Sequence, residues 1–321
     1  MRARLAIAVV VAVTAAVSGC ARADLGQPLW HQGEITIGTG PTNGVFNQVG
    51  GGYADVINRH MPGYEAVAVP TNGSAENLDR LERGDVDVAL TFGDVAADAV
   101  NGTGPFAGRP LAIRALARVF SSYTHLVVRE DAHISTVEDL KGKRVGTGPV
   151  GSGSEAVAMR ILAAAKLDAD KDVRRTAASL AQMTASMQAG TLDAMFYSAG
   201  LPTVGITALL QQMPGKLTLL PVAPVLPALD KMYPQVYSAA VVPKATYGLA
   251  ADVPTIAVPN LIVVYESMPD TVAADLTRMI FQYQPELAAV HAEGRNIVRD
   301  MGPRTAPVRL HTGAEGYYGR P

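Results

Sequence analysis

Apolar and polar positions alternate along this chain in short runs punctuated by glycine, and the runs come in two similar series. Ile35-Thr-Ile-Gly38 reads as a strand that enters a glycine-rich loop, Thr39-Gly40-Pro-Thr-Asn43-Gly44. Helical spacing then covers 45–60. An extended segment at 64–70 leads to a helix ending Leu81-Glu-Arg-Gly84, then to Asp85-Val-Asp-Val-Ala-Leu-Thr-Phe92 and a small-residue turn at Gly93-Asp94. The second series opens with Arg144-Val-Gly146 and the loop Thr147-Gly148-Pro-Val-Gly151-Ser152-Gly153-Ser154-Glu155. A helix over 156–167 follows, then a strand at 173–177 and a helix ending Met187-Gln-Ala-Gly190. The series closes with Thr191-Leu-Asp-Ala-Met-Phe-Tyr197 and the turn Ser198-Ala199-Gly200. Gly44 and Gly84 are 40 positions apart, Gly151 and Gly190 are 39. Both late glycines stand where a helix closes on a left-handed residue before a strand. A repeat of about 100 residues predicts two similar α/β lobes facing one ligand.

Each series brings bare backbone N–H groups to a helix start, where unpaired donors and the helix dipole favour an anion. Asn43 is a suitable N-cap and Gly44 permits close approach, so Asn43, Gly44, Val45 and Phe46 are expected to meet a ligand. Phe46 reads equally as a core aromatic. The triplet Gly50-Gly51-Gly52 sits inside a helix, where each glycine costs about 1 kcal/mol against alanine, and implies that a neighbouring strand presses there. A further helix start, Asn72-Gly73-Ser74, offers Ser74 as an N-cap on a polar, ligand-facing edge. Asp94 follows the C-terminal end of a strand, the edge at which open α/β sheets bind ligands.

The second loop also fits the G-x-G-x-x-G dinucleotide pattern through Gly146, Gly148 and Gly151. Against that use, Pro149 stiffens the loop, and Asp168 to Asp172 fall before the next strand rather than at its end. Ser152 with Glu155 reads as a capping box; Glu155 as a partner for a ligand ammonium is the alternative.

Composition narrows the classes. A chain of 321 residues with 48% hydrophobic and 17% charged residues suits two packed α/β domains. A net charge of −2 with one Trp and six Phe gives no footprint for nucleic acid. Six scattered histidines (His31, His60, His125, His133, His291, His311) form no metal-spaced set. No G-x-S-x-G elbow occurs, so no catalytic residue, cofactor or metal is expected.

The N-terminus differs from the rest. Arg2 and Arg4 precede an apolar stretch at 5–17 that is shorter than the ~20 residues needed to span hydrocarbon. Val17-Ser18-Gly19-Cys20 resembles a lipobox, and Cys20 is the only cysteine. Residues 1–19 are expected to be a lipoprotein signal peptide and 20–33 a tether, with lipidated Cys20 holding an exported body to the cell membrane.

The chain resembles the TAXI-type solute-binding subunits of TRAP (tripartite ATP-independent periplasmic) transporters. The matching stretches are Ile37-Gly-Thr-Gly-Pro-Thr-Asn-Gly-Val-Phe46, Gly73-Ser-Ala-Glu-Asn77, Asp139-Leu-Lys-Gly-Lys-Arg-Val-Gly146 and Gly148-Pro-Val-Gly-Ser-Gly-Ser-Glu155. Ser198-Ala-Gly-Leu-Pro-Thr203, Asp252-Val-Pro-Thr255 and Leu310-His-Thr-Gly-Ala-Glu-Gly-Tyr-Tyr318 continue the match in order. The resemblance implies an α/β, two-lobed periplasmic-binding-protein-like fold of type II, crossed twice by the chain. It also implies a small carboxylate ligand, glutamate- or 2-oxoglutarate-like, handed to integral-membrane transporter subunits. Where the family commonly carries two Tyr, this chain has Val45-Phe46, one hydroxyl-bearing contact poorer. The lobes are expected at 34–126 plus 255–321 and at 127–254, with crossings near 121–128 and 241–258. Ligand residues are expected at Asn43, Gly44, Val45, Phe46, Asn72, Gly73, Ser74, Gly93 and Asp94, and at Gly151, Ser152, Gly153, Ser154, Ser198, Ala199 and Gly200. Two rivals remain: an exported nucleotide-binding Rossmann-like enzyme, and a sensor or immunogenic lipoprotein of the same fold.

Overall fold

The computed structural model describes residues 29–42 and 44–319. The expected signal segment, Cys20, the first part of the tether and Asn43 lie outside the described residues. The last part of that tether is not free chain. Residues Trp30–Gly33 form a single turn, with the Trp30 ring stacked on His31 and His31 Nδ1 lying 2.8 Å from Asp87 Oδ1.

Strand β1 (Glu34–Gly38), helix α1 (Val45–His60), β2 (Glu65–Val69), α2 (Ser74–Arg83) and β3 (Val88–Phe92) make the first series, and α3 (Gly93–Asn101) starts directly at its end. After the long strand β4 (Ile113–Arg129) the same series returns as β5 (Arg144–Gly146), α4 (Gly153–Ala164), β6 (Arg174–Thr176), α5 (Leu180–Gln188) and β7 (Ala194–Ala199). Then come α6 (Val204–Gln212), β8 (Leu217–Leu219), α7 (Leu226–Met232), β9 (Ser238–Val242) and α8 (Lys244–Tyr247). The chain ends with β10 (Val253–Tyr265), α9 (Asp270–Gln282), α10 (Gln284–Val290) and α11 (Thr312–Tyr318).

Among the described residues the strands form one sheet, ordered β2-β1-β3-β10-β4-β7-β5-β6, with β8 on β4 and β9 on β10. β1 runs parallel to β2 and β3, and β5 runs parallel to β6 and β7. Each half therefore places its first strand between its second and third, the duplication anticipated from the sequence. β4 joins the halves: its first part pairs with β10 and its last part with β7 and β8. β10 does the same in reverse, pairing with β9 and then with β3. At 17 residues β4 is about 55 Å long, far beyond an ordinary strand.

All residues of β3 and β7 are buried, as sheet strands covered on both faces must be. The glycine triplet of α1 has two purposes. A Cβ on Gly50 would lie 2.3 Å from Thr39 Cγ2 at the end of β1, and one on Gly52 would lie 2.9 Å from Val290 of α10. The helix is pressed by a helix as well as by the strand edge. Gly84 and Gly190 adopt φ of +74° and +69°, so both helix endings are left-handed as expected.

Candidate functional site

The ends of β1, β3, β5 and β7 meet in the middle of the sheet, and one cavity opens between the halves there. From the start of α1 it is lined by Gly44, Val45 and Phe46, and from the loop before α2 by Asn72, Gly73 and Ser74. Across from them stand Ser152, Gly153 and Ser154 at the entrance of α4, with Ser198 and Ala199 at the end of β7. These eleven sequence-expected positions share one wall-to-wall space of about 40 Å³, room for roughly three waters. The halves are closed upon it.

What converges on this space is backbone. The first-turn amides of α1 have no carbonyl of their own helix to bond. In α4, Glu155 N donates to Ser152 Oγ and Ala156 N to the Ser152 carbonyl, which leaves the Gly153 and Ser154 amides without an intrahelical partner. No charged side chain lines the cavity. Helix starts therefore supply its electropositive character, worth up to about 2 kcal/mol each for an anion in a partly buried setting.

Several side chains that look like ligand contacts bond protein instead. Ser154 Oγ accepts from Ser198 N at 3.0 Å and donates to the Ser198 carbonyl at 3.1 Å, fastening α4 to β7. Ser198 Oγ lies 2.9 Å from Thr124 Oγ1. Ser74 is not an N-cap; Gly73 holds that position, and Ser74 Oγ accepts from Phe92 N at 3.0 Å. Glu155 closes its turn one residue early, accepting from Gly151 N at 2.9 Å rather than from Ser152, and it pairs with Arg175. It is not available to a ligand ammonium. Phe46 fills both expected uses, packing edge-on against Phe92 and Phe120 while lining the cavity.

Four expected positions lie off the cavity: Gly93, Asp94, Gly151 and Gly200. Gly93 packs against Pro259, and Gly200 against Glu293, where an added Cβ would come within 2.9 Å and 2.5 Å respectively. Gly151 turns its carbonyl to α2 and accepts from the Ala75 and Glu76 amides at 3.0 and 3.3 Å. This occupies two first-turn donors of α2 with the opposite half of the molecule. Asp94 is fully buried, bonded by Arg160 from α4 and by the Tyr237 hydroxyl. Arg160 also bonds Asp98 and lies 4.4 Å over the Tyr233 ring. Burial works against the Arg160 charge, but Asp94, Tyr237, Tyr233 and Asp98 together more than offset it, and the guanidinium is held well above its usual range.

Sequence reasoning missed Pro41, Phe92, Ser122, Pro149 and Tyr197 in the lining. Ser122 belongs to the crossing strand β4 and donates to Asn260 Oδ1 at 3.1 Å, while Asn260 Nδ2 is buried with no partner among the described residues. Tyr197 is the most telling omission. It lines the inner cavity and also a larger outer one of about 480 Å³. Burial pushes its phenol up to about 12, so it is a donor at neutral pH. Its place directly before Ser198 was the available signal.

No helix among the described residues is long and apolar enough to cross a membrane. No group of His, Cys, Asp or Glu side chains among them is arranged for a metal.

The pattern of the NMT1-like family matches residues 37–319. Among solved structures, the binding protein component of an ABC phosphonate transporter from Pseudomonas aeruginosa is similar at a TM-score of 0.56 and 15% identity, covering 83% of this chain and 80% of that one. The periplasmic aliphatic sulphonate binding protein of Escherichia coli is similar at 0.50 and 16%, covering 89% and 82%. A Xanthomonas citri protein bound to ATP is similar at 0.52 and 14%, covering 83% and 89%. At such identities the likeness is one of fold, and the fold is the mixed α/β architecture of periplasmic binding proteins.

Proposed function

The chain belongs to the NMT1-like family, and from that premise we propose that it is an extracytoplasmic solute-binding receptor. It captures a small carboxylate and delivers it to the membrane subunits of a transporter, which the TAXI-like stretches make one of the TRAP type. The observation that carries this reading is the inner cavity, closed between two halves, walled by helix starts and free of charged side chains. Neutral N–H donors in that arrangement bind an anion and release it again, as a receptor must. Two structural neighbours are described as handling sulphonate and phosphonate, small acids of similar charge.

In this reading residues 34–126 with 255–321 form one lobe and 127–254 the other, and both boundaries fall inside the long strands β4 and β10. Amides of α1 and α4 hold the acid group, the Tyr197 hydroxyl donates to it, and the Gly151 carbonyl latches onto α2 as the lobes meet. Lipidated Cys20 keeps the receptor at the membrane surface. Cys20→Ser should release the protein from membranes without altering ligand binding by the soluble body; retained attachment sinks the anchor.

A thermal-shift panel of amino acids, oxo acids, monocarboxylates and dicarboxylates tests the whole. A ligand at a hundred times its Kd should add about 2.7 kcal/mol of apparent stability. Stabilisation by nucleotides alone would overturn the receptor reading in favour of the Rossmann-like enzyme.

A further inference from the structure

The outer cavity is continuous with the inner one, since Pro41, Gly44, Val45, Tyr197 and Ala199 face both. Its volume of about 480 Å³ is an order of magnitude larger and within the range of small-molecule sites. Helices α5 and α6 wall it with Leu180, Ala185, Ala208 and Leu209, and with the neutral side chains of Thr184 and Gln188. No Asp, Glu, Lys or Arg lines either cavity. His291 reaches the outer one, and burial lowers its imidazole below the ordinary value, which keeps it neutral near pH 7.

We propose that the ligand has a single charge: one acid group held in the inner cavity and an uncharged, largely apolar body lying in the outer chamber beside α5 and α6. This rests on the receptor reading and narrows it, replacing the glutamate- or 2-oxoglutarate-like ligand that the resemblance implied.

An inner space of about 40 Å³ takes a head group, so the remainder of any larger ligand projects past Tyr197. A second carboxylate there would give up part of its hydration against apolar walls and meet no cation in the lining to offset that loss. An α-ammonium fares no better. Asp94 is spent on Arg160 and Glu155 on Arg175, so neither acid anticipated near the site is free to receive it. An alkyl or other neutral body loses nothing in this chamber and gains from burial against the leucines and alanines.

Calorimetry on the purified protein tests this with straight-chain acids from butanoate to octanoate, the α,ω-diacids of matching length, the matching 2-amino acids, and alkanesulfonates bearing the same tails. Affinity should rise along the monoacid series by up to about fourfold per methylene. Each diacid and each amino acid should bind at least about tenfold more weakly than its monoacid. The sulfonate arm reports the head group and should show the same tail dependence. Gln188→Lys, an exposed position that supplies the missing cation, should raise diacid affinity about tenfold. Ala208→Trp fills the chamber and should weaken octanoate while sparing butanoate; its unliganded melting temperature reports whether it still folds. A flat chain-length series, or diacids as tight as monoacids in the wild type, overturns the inference while leaving the receptor reading intact. If no acid of any class binds, the receptor reading itself falls.

Discussion

Single residues separate ligand contacts from scaffold contacts. Tyr197 and Ser154 both line the inner cavity, but their hydrogen bonds differ. Ser154 Oγ is saturated by the backbone of Ser198, whereas burial keeps the Tyr197 hydroxyl a protonated donor at the junction of the two cavities. Tyr197→Phe should therefore weaken a bound acid by about 2 kcal/mol, the worth of a hydrogen bond to a charged group, with the unliganded melting temperature unchanged. Ser154→Ala should do the reverse, costing about 1 kcal/mol of unfolding stability and little affinity beyond it. Calorimetry and chemical denaturation on both variants check the pair; equal loss of affinity would place Ser154 on the ligand after all. His125 offers a pH signature. Its Nδ1–H donates to the Tyr197 carbonyl at 3.1 Å, and its Nε2 accepts from the Tyr247 hydroxyl at 2.9 Å. Burial lowers the imidazole from 6.5 to about 4, so it folds neutral. The unfolded chain takes up this proton as pH falls through 6.5 and the native one does not until about 4. Stability present above pH 6.5 is thus lost across that window, by about 3 kcal/mol. Glu293, whose burial raises its carboxyl, works in the opposite direction, so the His125 share is the difference between wild type and His125→Gln. Parallel pH profiles for the two proteins would remove His125 from the account.

Elements show how much of the fold lay open in the sequence. Strand, loop and helix of each series were legible because the signals are local: alternating apolar positions, a glycine loop, a left-handed glycine at the helix end. The Ser152–Glu155 turn was legible for the same reason, although the carboxylate closes on Gly151 instead. What escaped depends on pieces far apart in the chain. Nothing near Asp94 announces Arg160, which is 66 positions away and on the other half. Proximity to a strand end made Asp94 resemble a ligand contact; the tertiary pairing turned it into a bond between α3 and α4. Asp94→Asn should consequently weaken acids, diacids and amino acids by a common factor, because it leaves Arg160 short of one buried partner instead of removing a ligand contact. A loss confined to amino acids, measured by calorimetry, would restore Asp94 to the binding site. The α4 start carries a related constraint. A Cβ on Gly153 would come within 2.4 Å of the Phe92 ring at the end of β3, so this glycine allows the two halves to approach.

At the scale of the whole molecule, the contacts between halves include Gly151 with α2, Gly153 with Phe92, Arg160 with the two aspartates, the Tyr237 hydroxyl with Asp94, and Leu201 N with Glu293 Oε1. None is strongly stabilising in sum. A buried ion network roughly balances its desolvation against its attraction, so it selects one arrangement without locking it. Two hydrogen bonds from α2 add about 1 kcal/mol each. That weak bias suits the proposed receptor, which must reopen, with β4 and β10 as the spans expected to flex. The free protein should accordingly populate an open form, and a bound acid should reduce the radius of gyration in small-angle scattering. Gly153→Ala tests the coupling, because it opposes closure and touches neither the fold of the separate halves nor the sheet between them. It should hold the scattering profile in the expanded form at ligand concentrations that close the wild type, and weaken affinity by the work needed to displace Phe92. Wild-type compaction and wild-type affinity in Gly153→Ala would mean that the halves meet differently, and that closure is not what traps the ligand.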